Sequence, residues 1–334
     1  MFWPGSFGLQ VEVERWPLKR PFRITGHTWK ALEVVVVGLE AEGHRGCGEA
    51  AGVYYHRDTP SSIAAQIESI RHHIEAGGLT ESSLQTLLPP GGARNALDCA
   101  LWDWRAKTSR RPVWELARLP EPHPLLTTFT CGAAAPEAMA ATACGYAEAR
   151  AIKLKLTGHA IDVERVKTVR AARPEVWLAV DANQGFTRES LESLMPTLVD
   201  AGVALIEQPF PVGQERWLDG LNSPIPLAAD ETVQHLGDID SLVGRVQVMN
   251  IKLDKCGGLT EALAMARVAK ERGLELMVGN MMGTSLAMAP AFLVGQLCRV
   301  VDLDGPVFLT SDREPRIQYE NGLIHCPLSI WGGA

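Results

Sequence analysis

AIKLKLTG, residues 151–158, decides how the rest of the chain is read. Ile152, Leu154 and Leu156 alternate with Lys153 and Lys155, so the run reads as a strand with both lysines on one face. Lysine is rarely buried, and on an exposed sheet such a pair is a solvated face. The neighbouring segments point elsewhere. Seven further β-like runs flank it: LLTTFTC (125–131), VWLAVDAN (176–183), ALIEQP (204–209), PLAADE (226–231), VMNIKL (248–253), ELMVGN (275–280) and VVDLDG (300–305). Helical stretches such as AIDVERVKTVRAAR (160–173) and LTEALAMARVAKERG (259–273) separate them. Strands alternating with helices in this way spell a parallel barrel. A doubly wound open sheet usually carries a Gly-rich phosphate loop after its first strand. FTCGAAAPEAM (129–139) carries one glycine.

The polar residues collect at the C-terminal ends of these runs: Lys155, Asp181, Glu207, Asp230, Lys252, Asn280 and Asp302. A barrel would bring them to its C-terminal face, where barrel enzymes hold their active sites. Any one carboxylate there could simply cap the following helix. Three on successive strands would repel strongly without a cation. Oxygen ligands with no histidine or thiol suit a hard ion such as Mg²⁺. Asp181, Glu207 and Asp230 therefore read as a metal triad. Asn183 and Glu231 are expected to stand behind it, with a capping or loop role as the plain alternative. Lys153 and Lys155 precede the triad by one strand, and Lys252 follows it. A cation and neighbouring ammoniums disfavour further positive charge, so a lysine there can act as a base near neutral pH. Bases on both sides of a held substrate can take a proton from one face and return one to the other. The alternative for Lys252 is a salt bridge to Asp254 or Glu231. Lys255 is expected in solvent.

The N-terminal part reads as an antiparallel meander, LQVEVERWPL (9–18) and LEVVVVGLEAEG (32–43), followed by helices. PSSIAAQIESIRHHIEAG (60–77) is one helix. ARNALDCALWDWRAKTSRR (93–111) is another, with Ala93, Ala96, Leu97, Ala100, Leu101 and Trp104 on one side. The Pro-rich LPEPHP (119–124) marks a boundary. These readings give an α+β domain over 1–118, a barrel over 119–310, and a C-terminal segment, 311–334, that returns to the first domain.

Composition narrows the partners. A formal net charge of −7 gives no reason to expect nucleic acid or an anionic membrane. No apolar run approaches the ~20 residues of a membrane span. MFWPGSFGLQVEVERW (1–16) lacks the charged and apolar regions of a secretory leader. Seven scattered cysteines without a C-x-x-C fit reduced thiols, so a cytoplasmic location is expected. A homo-oligomer stays open.

Taken in order, KLK (153–155), DAN (181–183), EQP (207–209), ADE (229–231), NIKLDKCGGLTEAL (250–263) and DLDGP (302–306) resemble the enolase superfamily in its muconate lactonizing enzyme subgroup, and within it the dipeptide epimerases. ARNALDCALWD (93–103) is similar to that family's helix at the domain junction. The resemblance covers about residues 8–326. It implies an α+β capping domain over a (β/α)7β TIM-like barrel. It implies Mg²⁺ on Asp181, Glu207 and Asp230, an opposed acid/base pair in Lys155 and Lys252, and Lys153 beside the enolate. (Sites of this kind in the enolase superfamily, a lysine base with Mg²⁺, are a standard example of tuned acid/base chemistry.) It implies further that Asp302 and Asp304 hold a dipeptide's α-ammonium and that Thr130 touches the substrate. The first cap loop, FRITGHTWK (22–30), and the second, AAGVYYHRDT (50–59), depart from members acting on L-Ala-D/L-Glu, which show arginines in the first loop and a PYxRYGE-like second loop. Arg23 and Lys30 are expected in solvent, and Trp29, Tyr54 and Tyr55 add aromatic surface.

The reading is a Mg²⁺-dependent isomerase that epimerises a dipeptide at its C-terminal α-carbon. N-acylamino acid racemisation and o-succinylbenzoate synthesis pass through the same enolate, but their substrates lack the ammonium that Asp302 and Asp304 would hold. A Schiff-base lysine lyase would leave the triad without purpose. A non-catalytic barrel would leave both triad and bases without one.

Overall fold

The computed structural model describes residues 5–334. Met1–Pro4, the start of the stretch read for a leader, lie outside the described residues. Three antiparallel strands come first, β1 (Gly8–Ile24), β2 (His27–Ala41) and β3 (His44–Ala50), in that order across the sheet. The Val34–Val37 run of β2 is apolar on both faces for a reason. Val35, Val37 and Leu39 join the core of the first domain, while Val34 and Val36 join the barrel's core. A strand covered on both sides loses the apolar/polar alternation of a half-exposed one.

The helix Gly92–Ser109 is similarly two-sided. Ala96, Leu97, Ala100, Leu101 and Trp104 pack on the sheet, and Cys99, Trp102 and Ala106 face the barrel's core. The one-sided expectation was thus too narrow. Asp98 of this helix accepts from Thr260 N (2.9 Å) and Oγ1 (2.6 Å), and Arg94 donates to the Cys256 carbonyl (2.5 Å), fixing the helix to the barrel.

Strand β3 escapes a sequence reading because its sequence, HRGCGEA, is glycine-broken. The glycines have a packing purpose. A Cβ on Gly46 would sit 2.1 Å from the Ala100 carbonyl oxygen, and one on Gly48 2.1 Å from that of Ala96. The expected helix 60–77 is two, Pro60–Ser69 and Arg71–Ala76, because Ile70 (φ −107°, ψ 7°) leaves helical geometry.

The catalytic-sized part is an eight-stranded parallel sheet: β5 (Phe129–Cys131), β6 (Ala151–Lys155), β7 (Trp177–Asp181), β8 (Val203–Glu207), β9 (Leu227–Ala229), β10 (Val248–Ile251), β11 (Glu275–Val278) and β12 (Val300–Val301). Neighbours in sequence are neighbours in the sheet. Thr128 N donates to the Val301 carbonyl (3.0 Å), bringing the last strand against the approach to the first. The fold is therefore α/β, a curled parallel sheet of (β/α) type with a separate antiparallel N-terminal domain. The run expected as one strand over 125–131 divides at Thr127 and Thr128. Its first part, β4 (Leu125–Leu126), pairs instead with β14 (Leu323–His325), itself paired with β13 (Gln318–Glu320).

The C-terminal segment ties the layers together. Trp331 Nε1 donates to the carbonyls of Cys47 (3.0 Å) and Cys99 (3.1 Å). Arg313 bridges Glu14 Oε2 (2.6 Å) and Glu49 Oε2 (2.8 Å). Glu49, wholly buried, also accepts from Thr284 N (2.7 Å) and the Thr284 hydroxyl. Burial pushes its carboxyl pKa up, and Arg313 and Thr284 oppose that rise. Glu49→Ala should therefore cost about 2–3 kcal/mol, since it strands the Thr284 N–H and one face of Arg313 in a dry site. Denaturant unfolding tests this; a loss below about 0.5 kcal/mol would show that the cluster adds no net stability.

Candidate active site

The inward alternation of β6 puts Lys153 and Lys155 inside the barrel, both buried, so the solvated-face alternative does not hold. Register then sets the rim. Lys155 pairs with Asp181 across β6/β7, and Asp181 with Glu207 across β7/β8. Asp230 follows β9 by one residue and Lys252 follows β10 by one. Asp181, Glu207 and Asp230 are buried, and each offers a carboxylate oxygen within 4.8 Å of the others.

Ammonium groups stand at both ends of this row. Lys155 Nζ lies 2.5 Å from Asp181 Oδ2, and Lys252 Nζ lies 2.6 Å from Asp230 Oδ2. The alternative partners for Lys252, Asp254 and Glu231, do not pair with it. Asp254 Oδ1 instead accepts from the backbone N–H of Ala51 and Gly52, both at 3.0 Å, and so anchors the second cap loop. Lys255 is not in solvent. Its buried Nζ reaches the Asp230 carbonyl (2.5 Å), Asp230 Oδ1 (2.6 Å) and the Asn250 carbonyl (3.1 Å). The short helix Leu253–Cys256 begins directly after Lys252 and turns Lys255 back under the rim, which strand alternation alone does not reveal.

The electrostatics follow from burial and company. Burial, then the Asp181 charge, push Glu207 up to about 7. Burial would raise Asp230 too, but Lys252 and Lys255 hold it well below the usual carboxylate range. Burial would lower Lys252, yet the charges of Asp230 and Glu207 hold its pKa above the ordinary lysine value. Burial and the Asp230 charge push Glu231 up to about 8.

Asn183 Nδ2 donates to Glu231 Oε1 (3.3 Å), so the two residues behind the triad touch each other. Asn183 has φ +42°, left-handed backbone that asparagine tolerates, and its N–H is held by Asp181 Oδ1 (2.8 Å). Asn183 Oδ1 and Glu231 Oε2 are buried acceptors with no donor. Clustered carboxylates ringed by unsatisfied acceptors suit a hydrated hard cation. Asn250 was not singled out from sequence. Its Nδ2 donates to Glu207 Oε1 (2.7 Å), and its place two residues before Lys252 is the signal that could have found it.

Across the mouth, Lys153 Nζ donates to Asp302 Oδ2 and lies 3.3 Å from Glu207 Oε2. Asp304 Oδ2 accepts from Thr130 N (2.7 Å). Asn280 Nδ2 holds the Asp302 carbonyl (2.6 Å). Thr130, Lys153, Lys155, Asn183, Asp230 and Glu231 line a cavity of about 470 Å³, as do Lys252, Asp302 and Asp304. The first domain roofs it with Phe22, His27, Trp29, Tyr54 and Tyr55. Arg23, Lys30 and Arg57 are exposed and take no part in the lining.

Residues 135–329 match the family model described as enolase C-terminal domain-like. Residues 7–117 match the mandelate racemase / muconate lactonizing enzyme N-terminal domain. The chain belongs to the mandelate racemase / muconate lactonizing enzyme family of the enolase superfamily. Within that family it is 40% identical to the L-Ala-D/L-Glu epimerase of Escherichia coli K12, over 95% of this chain and 99% of that protein. It is 42% identical to an N-acetyl-D-glutamate racemase of a Pseudoalteromonas species, over 76% of this chain and 80% of that one. It is also similar to the structure of a dipeptide epimerase from Methylococcus capsulatus complexed with Mg and L-Arg-D-Lys. That match has a TM-score of 0.90 and 30% identity, and covers 96% of this chain and 97% of the other. Among the described residues no helix is long and apolar enough to cross a membrane.

Proposed function

We propose that this chain is a Mg²⁺-dependent isomerase that epimerises dipeptides at the α-carbon of the C-terminal residue. The observation that carries the reading is the pairing of Lys155 with Asp181 and of Lys252 with Asp230, one ammonium at each end of a row of three carboxylates. Asp181, Glu207 and Asp230 would hold Mg²⁺, which when bound supplies positive charge against the substrate carboxylate as the α-proton leaves. One lysine, neutral, takes that proton as the C–H electron pair moves into an enolate. The other, as an ammonium, returns a proton to the opposite face. Lys153 stands where the enolate's added charge collects. Asn183 and Glu231 support the triad. Asp302, Asp304 and Thr130 form the end of the site that takes the N-terminal residue. The domains divide as 1–118, 119–310 and 311–334, and scattered cysteines without a C-x-x-C support a cytoplasmic location.

Specificity falls to the roof. Among the described lining residues, the one guanidinium is Arg15, whose side chain is 73% exposed and lies 3.9 Å from Glu33. The roof's large side chains are Phe22, His27, Trp29, Tyr54 and Tyr55, and its charged residues besides Arg15 are the acidic Glu33 and Asp58. Apolar or aromatic C-terminal side chains are therefore accepted at least as well as glutamate. The test incubates L-Ala-L-Leu, L-Ala-L-Phe and L-Ala-L-Glu with enzyme and Mg²⁺ in D₂O, and follows the one-deuteron gain by mass spectrometry. A hundredfold kcat/KM preference for glutamate, about 2.7 kcal/mol, would defeat the roof argument. No deuteron in any dipeptide would defeat the epimerase reading. The Pseudoalteromonas relative favours one second reading, racemisation of an N-acylamino acid. The buried carboxylate of Asp304, which has no ion pair among the described residues, speaks against it, because an uncharged acyl group leaves that charge uncompensated.

A further inference from the structure

Each cap loop is seated on a different part of the barrel rim. The first, 22–30, is held by Thr25. Its hydroxyl lies 2.9 Å from the Leu156 carbonyl oxygen and 3.2 Å from that of Ala182, and its one hydrogen is shared between them. Leu156 directly follows Lys155, and Ala182 directly follows Asp181, the carboxylate partner of Lys155. The second loop, 50–59, is held by Asp254, which stands two residues after Lys252 and accepts from the N–H groups of Ala51 and Gly52. Gly52 has φ +79°, and a Cβ there would lie 2.2 Å from the Asp58 carbonyl oxygen, so this approach needs glycine. The same loop reaches the chain beyond Asp230, the partner of Lys252. Gln234 Nε2 donates to the Tyr55 hydroxyl (3.2 Å) and to the Glu231 carbonyl (2.6 Å). Among the described residues no hydrogen bond runs from the first loop to the turn after Lys252, or from the second loop to the end of β6.

We infer that the two cap loops are keyed separately to the two bases: Thr25 positions the corner that carries Lys155, and Asp254 positions the turn that carries Lys252. The inference rests on the two-base epimerase reading above and deepens it. Neither Thr25 nor Asp254 lines the cavity, so both act through the lysines. On one side, Leu156 N donates to the Asp181 carbonyl (2.9 Å), so the two carbonyls that Thr25 meets belong to one hydrogen-bonded corner. On the other, the Lys252 carbonyl accepts from Lys255 N (3.0 Å) and Cys256 N (3.1 Å), so Asp254 sits inside a closed turn. That turn also carries Lys255, whose Nζ holds Asp230. A base works only when its nitrogen is in line with the α-hydrogen, and a displacement of about 1 Å can cost on the order of 10²-fold. The loops meet each other above the cavity, where the His27 ring stacks on Tyr54 (4.7 Å, 29°) and Trp29 meets Tyr54 edge-on (5.1 Å, 85°). That seam joins loop to loop, whereas Thr25 and Asp254 join each loop to its own lysine.

Overall epimerisation cannot show this division, because the equilibrium between the epimers fixes the ratio of kcat/KM in the two directions. Proton exchange in D₂O can. In Lys155→Ala, neutral Lys252 takes the α-proton and the C–H electron pair enters the enolate. The ammonium trades its hydrogens with D₂O, and a deuteron returns to the same face. Lys252→Ala does the same from the other face with Lys155. Adding Asp254→Ala should slow exchange roughly tenfold or more in the Lys155→Ala enzyme and less than about twofold in the Lys252→Ala enzyme. Thr25→Val, close in shape but without the hydroxyl, should do the reverse, and Thr25→Ser should restore the rate. Asp254→Asn keeps an acceptor oxygen without the charge, and should give the same asymmetry at about fivefold where the alanine variant does not fold. Exchange is read above the Asp254 pKa, which burial pushes up to about 7. Amide hydrogen exchange supplies a readout apart from turnover: residues 50–59 should lose protection in Asp254→Ala, and residues 22–30 in Thr25→Val. Equal slowing of both faces by either variant, or slowing of neither, would overturn the keyed loops. Absence of α-proton exchange in wild type and in both lysine variants would instead remove the epimerase reading beneath them, and unchanged loop protection would then remove the two latches as well.

Discussion

Epimerisation should stop when either Lys155 or Lys252 is replaced by alanine. Loss of a general base typically costs ~10²–10⁴-fold, and inverting a centre needs a proton donor on the face opposite the base, so the loss of either lysine closes both directions. Each ammonium is held by a different carboxylate, 2.5 Å from Asp181 and 2.6 Å from Asp230. The remaining lysine therefore keeps its own partner in either variant. This gives the experiment its resolution. Lys155→Ala should still exchange the α-proton of one epimer in D₂O, and Lys252→Ala that of the other, with neither producing the opposite configuration. Circular dichroism and Mn²⁺ binding check that the barrel and the triad survive. Near-normal epimerisation in either variant would falsify the two-base assignment. Exchange of the same epimer by both would put the two lysines on one face.

Much of this site was legible because strand chemistry is local. In a β-strand the side-chain period is two, so KLK fixes two inward lysines. The residue at or just past each strand end then falls on the rim wherever the strand lies in the barrel. Asp181, Glu207, Asp230 and Lys252 needed nothing more. The departures come where a residue's surroundings are set by distant chain. Lys255 looked like a surface lysine because the tight turn after Lys252 that folds it under Asp230 has no period to read. Strand β3 was hidden by Gly46 and Gly48, whose lack of side chains answers the approach of the helix Gly92–Ser109. The pairing of β4 with β14 joins residues almost two hundred positions apart, and no local pattern marks it. The two-sided burial of Val34–Val37 was visible as an unbroken apolar run, but what covers its second face was not.

Chelation should abolish turnover, by at least about 10³-fold, and Mg²⁺ should restore it. The argument begins with charge. Three buried carboxylates offer oxygens within 4.8 Å of one another, and like charges so placed cannot all ionise comfortably. Burial, and after it the Asp181 charge, push Glu207 up to about 7. Mg²⁺ held by Asp181, Glu207 and Asp230 would supply positive charge that offsets that repulsion and competes with Lys155 and Lys252 for their carboxylate partners. Those lysines are bases only when neutral, and Lys252 is held above the ordinary lysine value by Asp230 and Glu207. Removing the ion therefore takes away the charge that faces the substrate carboxylate and also leaves Lys252 held in its protonated form, so the two losses compound. The ion should stabilise the fold as well, since a ligand of the native state at a hundred times its Kd adds about 2.7 kcal/mol. Asp230→Asn should weaken Mg²⁺ binding and reduce that thermal shift. Full turnover in excess chelator, with no change in Tm when Mg²⁺ is added, would remove the metal from the mechanism and leave the triad to be explained by its lysine pairs alone.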